Sequence, residues 1–414
     1  RTCLWCPSER FRAMTWLVAA VAATAAGTRG SAALDFEAWK SAHRRPYATV
    51  EEEAAARTAF ASNDELIRAH NNNSAGPARG FTLGHNALSD LSLAEYRRTR
   101  LMSIAMPPRP AAAPPTVAVA VATPFTLAAV APGRQTAGPA YGRTDSPPIA
   151  VDWVAEGAVT AVKSQARCGG CWAFAATGAL EAAYALSSGV RPAVALSEEQ
   201  LINCDYADHG CTGGNPETAF AYVAANGGAD NPLCTEAGLP YDLGDGRKAR
   251  GECELTCTPA VGATGYEAIQ AGDEGALLLA VAAAPVAVGI AAYQSAFQLY
   301  KSGVFDSAGC GVALDHAVLI VGYGVDGGAP YWRLKNSWGD RWGDGGYMRI
   351  ARGKNMCGLA MQASYPTGVF GVNHSIPPHP PAPPQPPPLP PRAPSPPSPP
   401  PSSGESAVGL AAPA

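Results

Sequence analysis

The sequence predicts an α+β fold, because helix-like and strand-like segments both occur in its central part. The stretch from Cys171 to Leu186 is rich in Ala, Leu and Phe and lacks proline, which is typical of a buried helix. His316 opens an apolar, β-rich run, 316–324, that ends in a turn. An earlier segment, 53–71, has the period of an amphipathic helix. We therefore expect a mixed α+β body with a separate helical module before it.

The first recognisable segment of the chain is 14–33. An apolar run from Met14 to Ala26 is followed by the small residues Ser31-Ala32-Ala33, a pattern that predicts a signal peptide. Residues 1–13 do not fit this pattern, which favours Met14 as the natural start. We assign no role to Cys3 and Cys6.

The helical module is expected over 34–101. Six of its residues follow one another at intervals of four, three, three, four and four and so share one helix face: Glu53, Arg57, Phe60, Asn63, Ile67 and Asn71. An ordinary amphipathic helix would explain this spacing equally well. The short segment Asn86-Ala87-Leu88-Ser89-Asp90 follows it.

Two segments have compositions that do not predict folded structure. The segment 102–146 is dominated by Ala, Pro and Val and reads as a linker; its most apolar part is broken by Pro124 and is too short to span a membrane. The tail 371–414 is Pro-rich and should favour extended polyproline II without a core. A wall-associated stalk, a recognition segment and a passive remnant all remain possible roles for it.

Cys171 is the leading candidate for a nucleophile. It follows the turn Gln165-Ala166-Arg167-Cys168-Gly169-Gly170 and would lie in the first turn of a helix, where unpaired backbone N–H groups stabilise a thiolate. The amide of Gln165 could point at the same oxygen as the Cys171 backbone N–H and form an oxyanion hole. The alternative is a buried structural cysteine or half of a disulfide.

A thiolate nucleophile requires a base, and His316 is the best candidate. His209 also lies in the central body but sits in a short loop between two cysteines, where a solvated residue is expected. Asn336 follows a hairpin signal at Asp326-Gly327-Gly328, so its strand should neighbour that of His316. The Asn336 oxygen could fix the imidazole tautomer while Trp338 shields that bond from water.

These motifs resemble those of the papain family of cysteine peptidases, in particular its cathepsin-L-like members. The resemblance implies a two-lobed fold, with a helical lobe and a β-barrel-like lobe over 147–370, preceded by an inhibitory helical prodomain over 34–101. It implies that Cys171 is the nucleophile, His316 the general acid and base, Asn336 its orienter and Gln165 an oxyanion-hole donor. Ala166 and Gly170 depart from the family pattern, which usually has glycine and serine there, and we expect them to alter loop mobility only.

The resemblance also implies a substrate cleft and a disulfide framework. The cleft residues are Gly213, Gly214, Asn215, Pro216, Gly289, Leu314, Asp315, Ala317, Trp338 and Gln362. The pairs that it implies are Cys168 with Cys211, Cys204 with Cys253 and Cys310 with Cys357. Cys234 and Cys257 remain in the body, and we predict that they pair with each other, although an exchange of Cys253 and Cys257 remains open. Ser197 and Gln200 suggest a capping box at the start of a second helix.

The implied activity is that of an endopeptidase made as a zymogen. A thiolate–imidazolium pair would attack a peptide carbonyl to give a thioester, with hydrophobic side chains preferred two residues before the cut. An exopeptidase with an occluding loop near Cys234–Cys257, a catalytically silent family member and a structural wall protein are the alternatives. Cleavage of blocked and free-ended peptides separates the first of these.

Composition limits the partners of the protein. A net charge of −4 and a pI of about 6.0 argue against nucleic-acid binding. We expect no metal and no cofactor, since the cysteines are assigned elsewhere. Protein and peptide substrates and the protein's own prodomain are the expected partners, the mature enzyme should be a monomer, and the secretory pathway, leading to a lysosome or vacuole or outside the cell, is the expected location.

Overall fold

The structure is a computed structural model that describes residues 36–72, 80–103, 106, 147–243, 251–307 and 309–372. The predicted signal peptide, most of the linker and nearly all of the Pro-rich tail lie outside the described residues. Among the residues that are described, no helix combines the length and apolar character needed to cross a membrane.

The N-terminal module contains three helices and a short strand. They are α1 (36–43), α2 (Val50–Asn72), β1 (Phe81–Leu83) and α3 (Leu93–Arg100). Phe36, Trp39 and Phe60 form a small aromatic core between α1 and α2. Helix α3 begins with a full capping box between Ser92 and Glu95, which satisfies backbone donors at its first turn.

The face of α2 that the sequence spacing predicted points into the module. Asn63 donates to the carbonyls of Ser89 and Leu91, both at 3.0 Å, and Asn71 bonds both backbone groups of Leu83. Glu53 and Arg57 bond each other at 3.1 Å on the outer part of the same face. Asn63 and Asn71 therefore hold the segment 80–91 that leads to the catalytic body.

The helical lobe follows the short strand β2 (Val151–Asp152). Its helices are α4 (Cys171–Ser188), α5 (Glu198–Cys204) and α6 (Pro216–Val223). The capping box predicted for α5 is only half formed: the Ser197 hydroxyl accepts from the backbone N–H of Gln200, but the Gln200 amide bonds Cys234 N at 2.9 Å. The prediction was wrong in this detail because the long-range partner, on a later strand, could not be read from local spacing.

The second lobe is mostly β-structure. Its elements are β3 (Leu233–Cys234), β4 (Pro259–Gly262), β5 (Gly265–Ile269), α7 (Glu274–Ala283), β6 (Val286–Ile290), α8 (Ser295–Gln298), β7 (Tyr300–Phe305), β8 (His316–Asp326), β9 (Ala329–Lys335), β10 (Tyr347–Ala351), β11 (Ala363–Thr367) and β12 (Phe370–Gly371). The main sheet has the order β1-β7-β10-β9-β8-β6-β11-β5, with β2 paired to β8. A smaller sheet has the order β12-β4-β3. The prodomain strand β1 thus extends the edge of the catalytic sheet.

The hairpin of β8 and β9 places the two candidate strands side by side, as predicted. Gly327 and Gly328 form its turn with φ values of 57° and 87°, a conformation that glycine adopts without strain. The strands pair antiparallel from Leu319 with Lys335 to Asp326 with Ala329. His316 begins β8 and Asn336 directly follows β9, so the two side chains meet at the same end of the hairpin.

A buried ionic cluster joins the two lobes beneath this hairpin end. The Lys163 ammonium bonds Glu198 at 2.8 Å and Glu181, in the middle of α4, at 3.2 Å. Lys335 donates to the Thr160 hydroxyl at 2.8 Å. Since a buried charge is stable only when it is paired, the cluster holds the two lobes in one relative position under the candidate site.

Candidate active site

The Cys171 thiol lies at the N-terminus of α4 and is completely buried. It is the free cysteine of the described residues, whose other cysteines form disulfides Cys168–Cys211, Cys204–Cys253, Cys234–Cys257 and Cys310–Cys357. Three of these pairs are those that the family resemblance implies, and Cys234–Cys257 is the pair predicted for the two remaining cysteines of the body. The first of these disulfides ties the turn before Cys171 to the neighbouring segment 210–214.

The turn before Cys171 is tightly packed, and this explains one departure from the family pattern. A Cβ atom added to Gly170 would lie 2.7 Å from Ile202 Cδ1, so a serine at this position would require Ile202 to move. Ala166, the other departure, adopts φ = 49°, a left-handed conformation that favours glycine. Ala166 therefore strains the turn, which differs from the purely dynamic effect that we expected.

His316 is held by three neighbours at the start of β8. Its Nε2 lies 2.8 Å from Asn336 Oδ1, and the Trp338 ring stacks on the imidazole at a centroid distance of 4.6 Å. Phe297 covers another edge. The imidazole Nδ1 is buried and has no hydrogen-bond partner among the described groups. The ring thus presents a free nitrogen while its other nitrogen is fixed.

Gln165 is anchored through both its backbone and its side chain. Its N–H donates to the carbonyl of Ser337 at 2.8 Å, and its Oε1 accepts from the Ser337 hydroxyl at 2.6 Å. The Nε2 group then donates to the carbonyls of Cys168, at 2.7 Å, and Arg100, at 3.1 Å. Ser337 also bonds Asn336 Oδ1 through its N–H at 2.7 Å, so one residue positions both amide side chains. This role of Ser337 was not predicted from the sequence, because its partner Gln165 lies 172 residues away along the chain.

The propeptide crosses the cleft directly above these residues. We call residues 102, 103 and 106 the cleft segment. Met102 N donates to the carbonyl of Asp315, Ser103 N to that of Thr212 and Met106 N to that of Leu314, each at 2.9 Å. Bonds to both cleft walls hold the segment, although these residues were predicted to begin an unstructured linker. The linker prediction missed them because composition does not reveal backbone pairing to a distant wall.

Several of the predicted cleft residues surround the cleft segment. A Cβ on Gly289 would meet the Met106 methyl group at 2.8 Å and Leu314 at 3.0 Å, so the glycine makes room for the Met106 side chain. Gln362 lies behind Gly289 and has a buried Oε1 without a hydrogen-bond partner among the described groups. Ala317 is buried next to Cys171 and contributes a backbone hydrogen bond to its sulfur.

Other predicted cleft residues have contacts that differ from the expectation. Gly214 was expected to let a substrate approach, yet a Cβ there would meet the Trp172 ring at 2.5 Å, so the protein's own packing requires glycine. The bond from the cleft segment goes to Thr212 rather than to Gly213 or Gly214. Asn215 caps α6, whose first residue is Pro216.

Asp315 contributes its backbone to the cleft and turns its side chain elsewhere. The Asp315 carboxylate accepts from Ala292 N at 2.7 Å, and burial raises its pKa to about 6. Because successive side chains along a strand point to opposite faces, Asp315 lies on the other side of the chain from its neighbour His316. Its part in the cleft is therefore the carbonyl that Met102 N binds.

Burial determines the protonation of the catalytic candidates in this form of the protein. It raises the pKa of the Cys171 thiol to about 12, against the opposing effect of backbone hydrogen bonds, first that of Ala317. It lowers the pKa of His316 to about 4, although the hydrogen bond that the imidazole donates to Asn336 acts in the other direction. With the propeptide in place, the pair is a neutral thiol and a neutral imidazole at neutral pH.

Comparisons with known proteins agree with this geometry. Residues 147–367 match the model of the papain family cysteine proteases, and residues 36–96 match that of the cathepsin propeptide inhibitor domain. The senescence-specific cysteine protease SAG12 of Arabidopsis thaliana is 40% identical over 334 residues, which cover 80% of this chain and 88% of that protein. Cysteine proteinase EP-B 1 of Hordeum vulgare is 39% identical over 346 residues, which cover 81% and 84%.

Solved precursor structures are also similar. The recombinant stem bromelain precursor superimposes with a TM-score of 0.65 at 31% identity, covering 81% of this chain and 99% of that one. The digestive procathepsin L 3 of Tenebrio molitor larval midgut gives a TM-score of 0.63 at 31% identity, with the same coverage. Both neighbours include a propeptide, as this structure does.

Proposed function

This chain belongs to the papain family of cysteine proteases, and we propose from that premise how its own residues hydrolyse a peptide bond. It is the zymogen of a cysteine endopeptidase, and its propeptide domain is its intramolecular inhibitor. The catalytic assignment rests on one observation above all. His316 bonds Asn336 through Nε2 and leaves Nδ1 free at the site where the unpaired Cys171 is buried.

Removal of the propeptide should convert the neutral pair into an ion pair. Water then reaches both groups, so the burial that holds the thiol and the imidazole neutral is lost. The His316 Nδ1 takes the thiol proton, and Asn336 Oδ1 accepts from the N–H on Nε2, which stabilises the imidazolium. The thiolate also gains from the N-terminus of α4.

Catalysis then proceeds through a thioester. The Cys171 sulfur attacks the substrate carbonyl carbon, and the developing oxyanion accepts from Gln165 Nε2 and the Cys171 N–H. The carbonyl oxygen of Arg100 already occupies one N–H of Gln165, which supports the view that this donor faces the reacting oxygen. The C–N bond breaks, His316 returns its proton to the leaving amine, and water hydrolyses the thioester after giving a proton to His316.

The pocket around Met106 supports a preference for apolar side chains two residues before the cut. Gly289 and Leu314 contact the Met106 side chain, and the unpartnered Oε1 of Gln362 lies behind Gly289. We expect Leu, Met and Phe to be preferred, with some tolerance for side chains that can donate to Gln362. A carboxylate would be disfavoured, because it would be buried beside another acceptor.

The four disulfides support a route through an oxidising compartment, and we propose the secretory pathway, ending in a lysosome or vacuole or outside the cell. We also propose a monomeric mature enzyme that does not bind nucleic acid, in keeping with the net charge of −4. Gel filtration of the processed enzyme tests the first of these points.

The assignment is tested with a quenched peptide blocked at both ends and carrying Leu two residues before the cut. We expect His316→Ala, matured in trans by tagged wild-type enzyme that is then removed, to lose at least about 1000-fold in kcat. His209→Ala is the control, because His209 is the other histidine of the catalytic body and is exposed. Equal activity of the two variants would contradict the assignment. Cleavage of free-ended peptides alone would favour an exopeptidase.

A further inference from the structure

Tyr241 has a hydroxyl group that points into the protein and has no role in the proposed mechanism. It lies in the segment between Cys234 and Cys257, which a disulfide closes. Its hydroxyl donates to the backbone carbonyl of Gln165 at 2.9 Å. The contact therefore joins this segment to the residue whose side chain forms the proposed oxyanion hole.

The Tyr241 ring is fixed from two sides. It packs edge-on against Phe174, in the first turn of α4, at a centroid distance of 5.0 Å and an interplanar angle of 76°. Its backbone N–H donates to Glu236 Oε1 at 3.1 Å. Burial raises the pKa of Tyr241 well above its usual range, so the hydroxyl keeps its proton and remains a donor. The ring is thus in direct contact with the helix that carries Cys171.

The peptide group between Gln165 and Ala166, whose carbonyl oxygen accepts from Tyr241, has an unfavourable local geometry. The Gln165 carbonyl also accepts from Cys168 N, but at the longer distance of 3.3 Å. The next residue, Ala166, is in the left-handed region at φ = 49°, which is unfavourable for a residue with a Cβ. The Ala166 N–H of the same peptide group donates to Ser164 Oγ, also at 3.3 Å. Loss of the Tyr241 bond would leave this peptide group with two long hydrogen bonds, and a shift of the Gln165 backbone would carry its side chain with it.

We propose that Tyr241 is a positioning residue for the oxyanion hole, acting through the carbonyl group of Gln165. The inference rests on the proposed function, because it assumes that Gln165 Nε2 stabilises the oxyanion. Tyr241 touches neither the substrate nor the thiol in this account. It keeps the Gln165 amide aimed at the reacting carbonyl after the propeptide has left.

The test compares Tyr241→Phe with Tyr323→Phe in the processed enzyme. The Tyr323 hydroxyl also donates to a backbone carbonyl, that of Pro148 at 3.0 Å, but lies away from the Gln165 turn. We expect Tyr241→Phe to lower kcat on an amide substrate about tenfold, a fraction of what loss of a whole oxyanion donor costs, with KM changed less than about twofold. Tyr323→Phe should keep wild-type kcat.

A second measurement separates positioning of the oxyanion hole from general damage. Alkylation of Cys171 by iodoacetamide uses the thiolate but forms no oxyanion, so Tyr241→Phe should react within about twofold of the wild-type rate. An unchanged kcat would overturn the proposal, and so would a parallel fall of kcat and alkylation. Failure of the proposed function would look different, since the wild-type enzyme itself would then neither turn over the substrate nor react at Cys171.

Discussion

The propeptide contacts the catalytic body in two regions that are held in different ways. The docking region, residues 80–101, adds side-chain contacts to the backbone pairing of β1 with β7. The Tyr96 hydroxyl donates to the Ala292 carbonyl at 2.7 Å, and its ring packs edge-on against Trp338. Gln298 in turn donates to the carbonyls of Leu88 and Leu91, at 3.0 and 2.9 Å. The cleft segment is held mainly by backbone bonds.

This difference indicates that the docking region recognises the catalytic body, whereas the cleft segment blocks the active site. Side-chain contacts of the docking region depend on the identity of both partners, whereas the backbone bonds of the cleft segment could be made by almost any extended peptide. The catalytic cleft therefore binds the propeptide through the same kind of backbone hydrogen bonds that it would form with a substrate. We therefore expect the docking region to supply most of the binding energy that keeps this segment in place.

The largest expected effect comes from the docking region. Tyr96→Ala removes a fully buried side chain and should cost about 3–5 kcal/mol, as for other large core truncations. If this loss falls on docking, alkylation of Cys171 in the intact precursor at neutral pH should accelerate about 100-fold to 1000-fold. Tyr206→Ala is the control, because Tyr206 is 72% exposed. Equal alkylation rates in the two variants would show that the docking region does not hold the propeptide in the cleft.

The ionisation of Cys171 should depend on whether the propeptide is bound. Because burial raises the pKa of this thiol to about 12 and lowers that of His316 to about 4, the precursor should contain no thiolate between pH 5 and pH 9. The processed enzyme should show thiolate already at mildly acidic pH. The difference in absorbance near 240 nm between each form and its Cys171→Ala variant measures this. A thiolate signal in the intact precursor below about pH 7 would contradict the account.

A smaller effect is expected in the cleft segment. Met106→Asp would place a carboxylate between Gly289 and Leu314, which disfavours this pocket without disturbing the docking region. We expect Cys171 alkylation in the precursor to accelerate only about tenfold, since local release does not require undocking. Met106→Leu keeps the apolar contact and should stay within about threefold of wild type. An Asp effect larger than that of Tyr96→Ala would reverse the comparison between the two regions.

The smallest effect concerns the turn of the catalytic body that precedes Cys171. There the Arg100 guanidinium of the propeptide donates to the Ala166 carbonyl. Ala166→Gly should relieve the left-handed strain and raise the unfolding free energy by about 0.5–1 kcal/mol, part of the gain being lost to chain entropy. Ala224→Gly is the control, because Ala224 has φ = −82° and should be destabilised. Thermal unfolding of the precursor gives both values; a lower melting temperature for Ala166→Gly would show that the turn is not strained.

Sequence motifs located the candidate catalytic residues, because this chemistry requires particular side chains in a particular order. The pairing of β8 with β9 followed from the glycine turn at 327–328, and the buried face of α2 followed from its period. These features depend on local pattern, which a sequence displays directly.

Contacts between distant segments could not be obtained in this way. The roles of Gln298, Ser337 and Tyr241 depend on partners far along the chain, and nothing in their neighbours distinguishes them from ordinary polar residues. The half-formed capping box at Ser197 shows the same limit, because its missing partner is bound to Cys234 on another element. The left-handed backbone of Ala166 was hidden too, since the residue type there disfavours it.

The central claim is that Cys171 is the nucleophile of an endopeptidase whose own propeptide blocks it. The most direct test incubates the precursor at about pH 4.5–5 under reducing conditions, adds an epoxysuccinyl thiol probe at successive times and locates the adduct by mass spectrometry. The account predicts an adduct on Cys171 that forms only as the N-terminal third of the chain is lost. Complete processing without an adduct on Cys171 would contradict it.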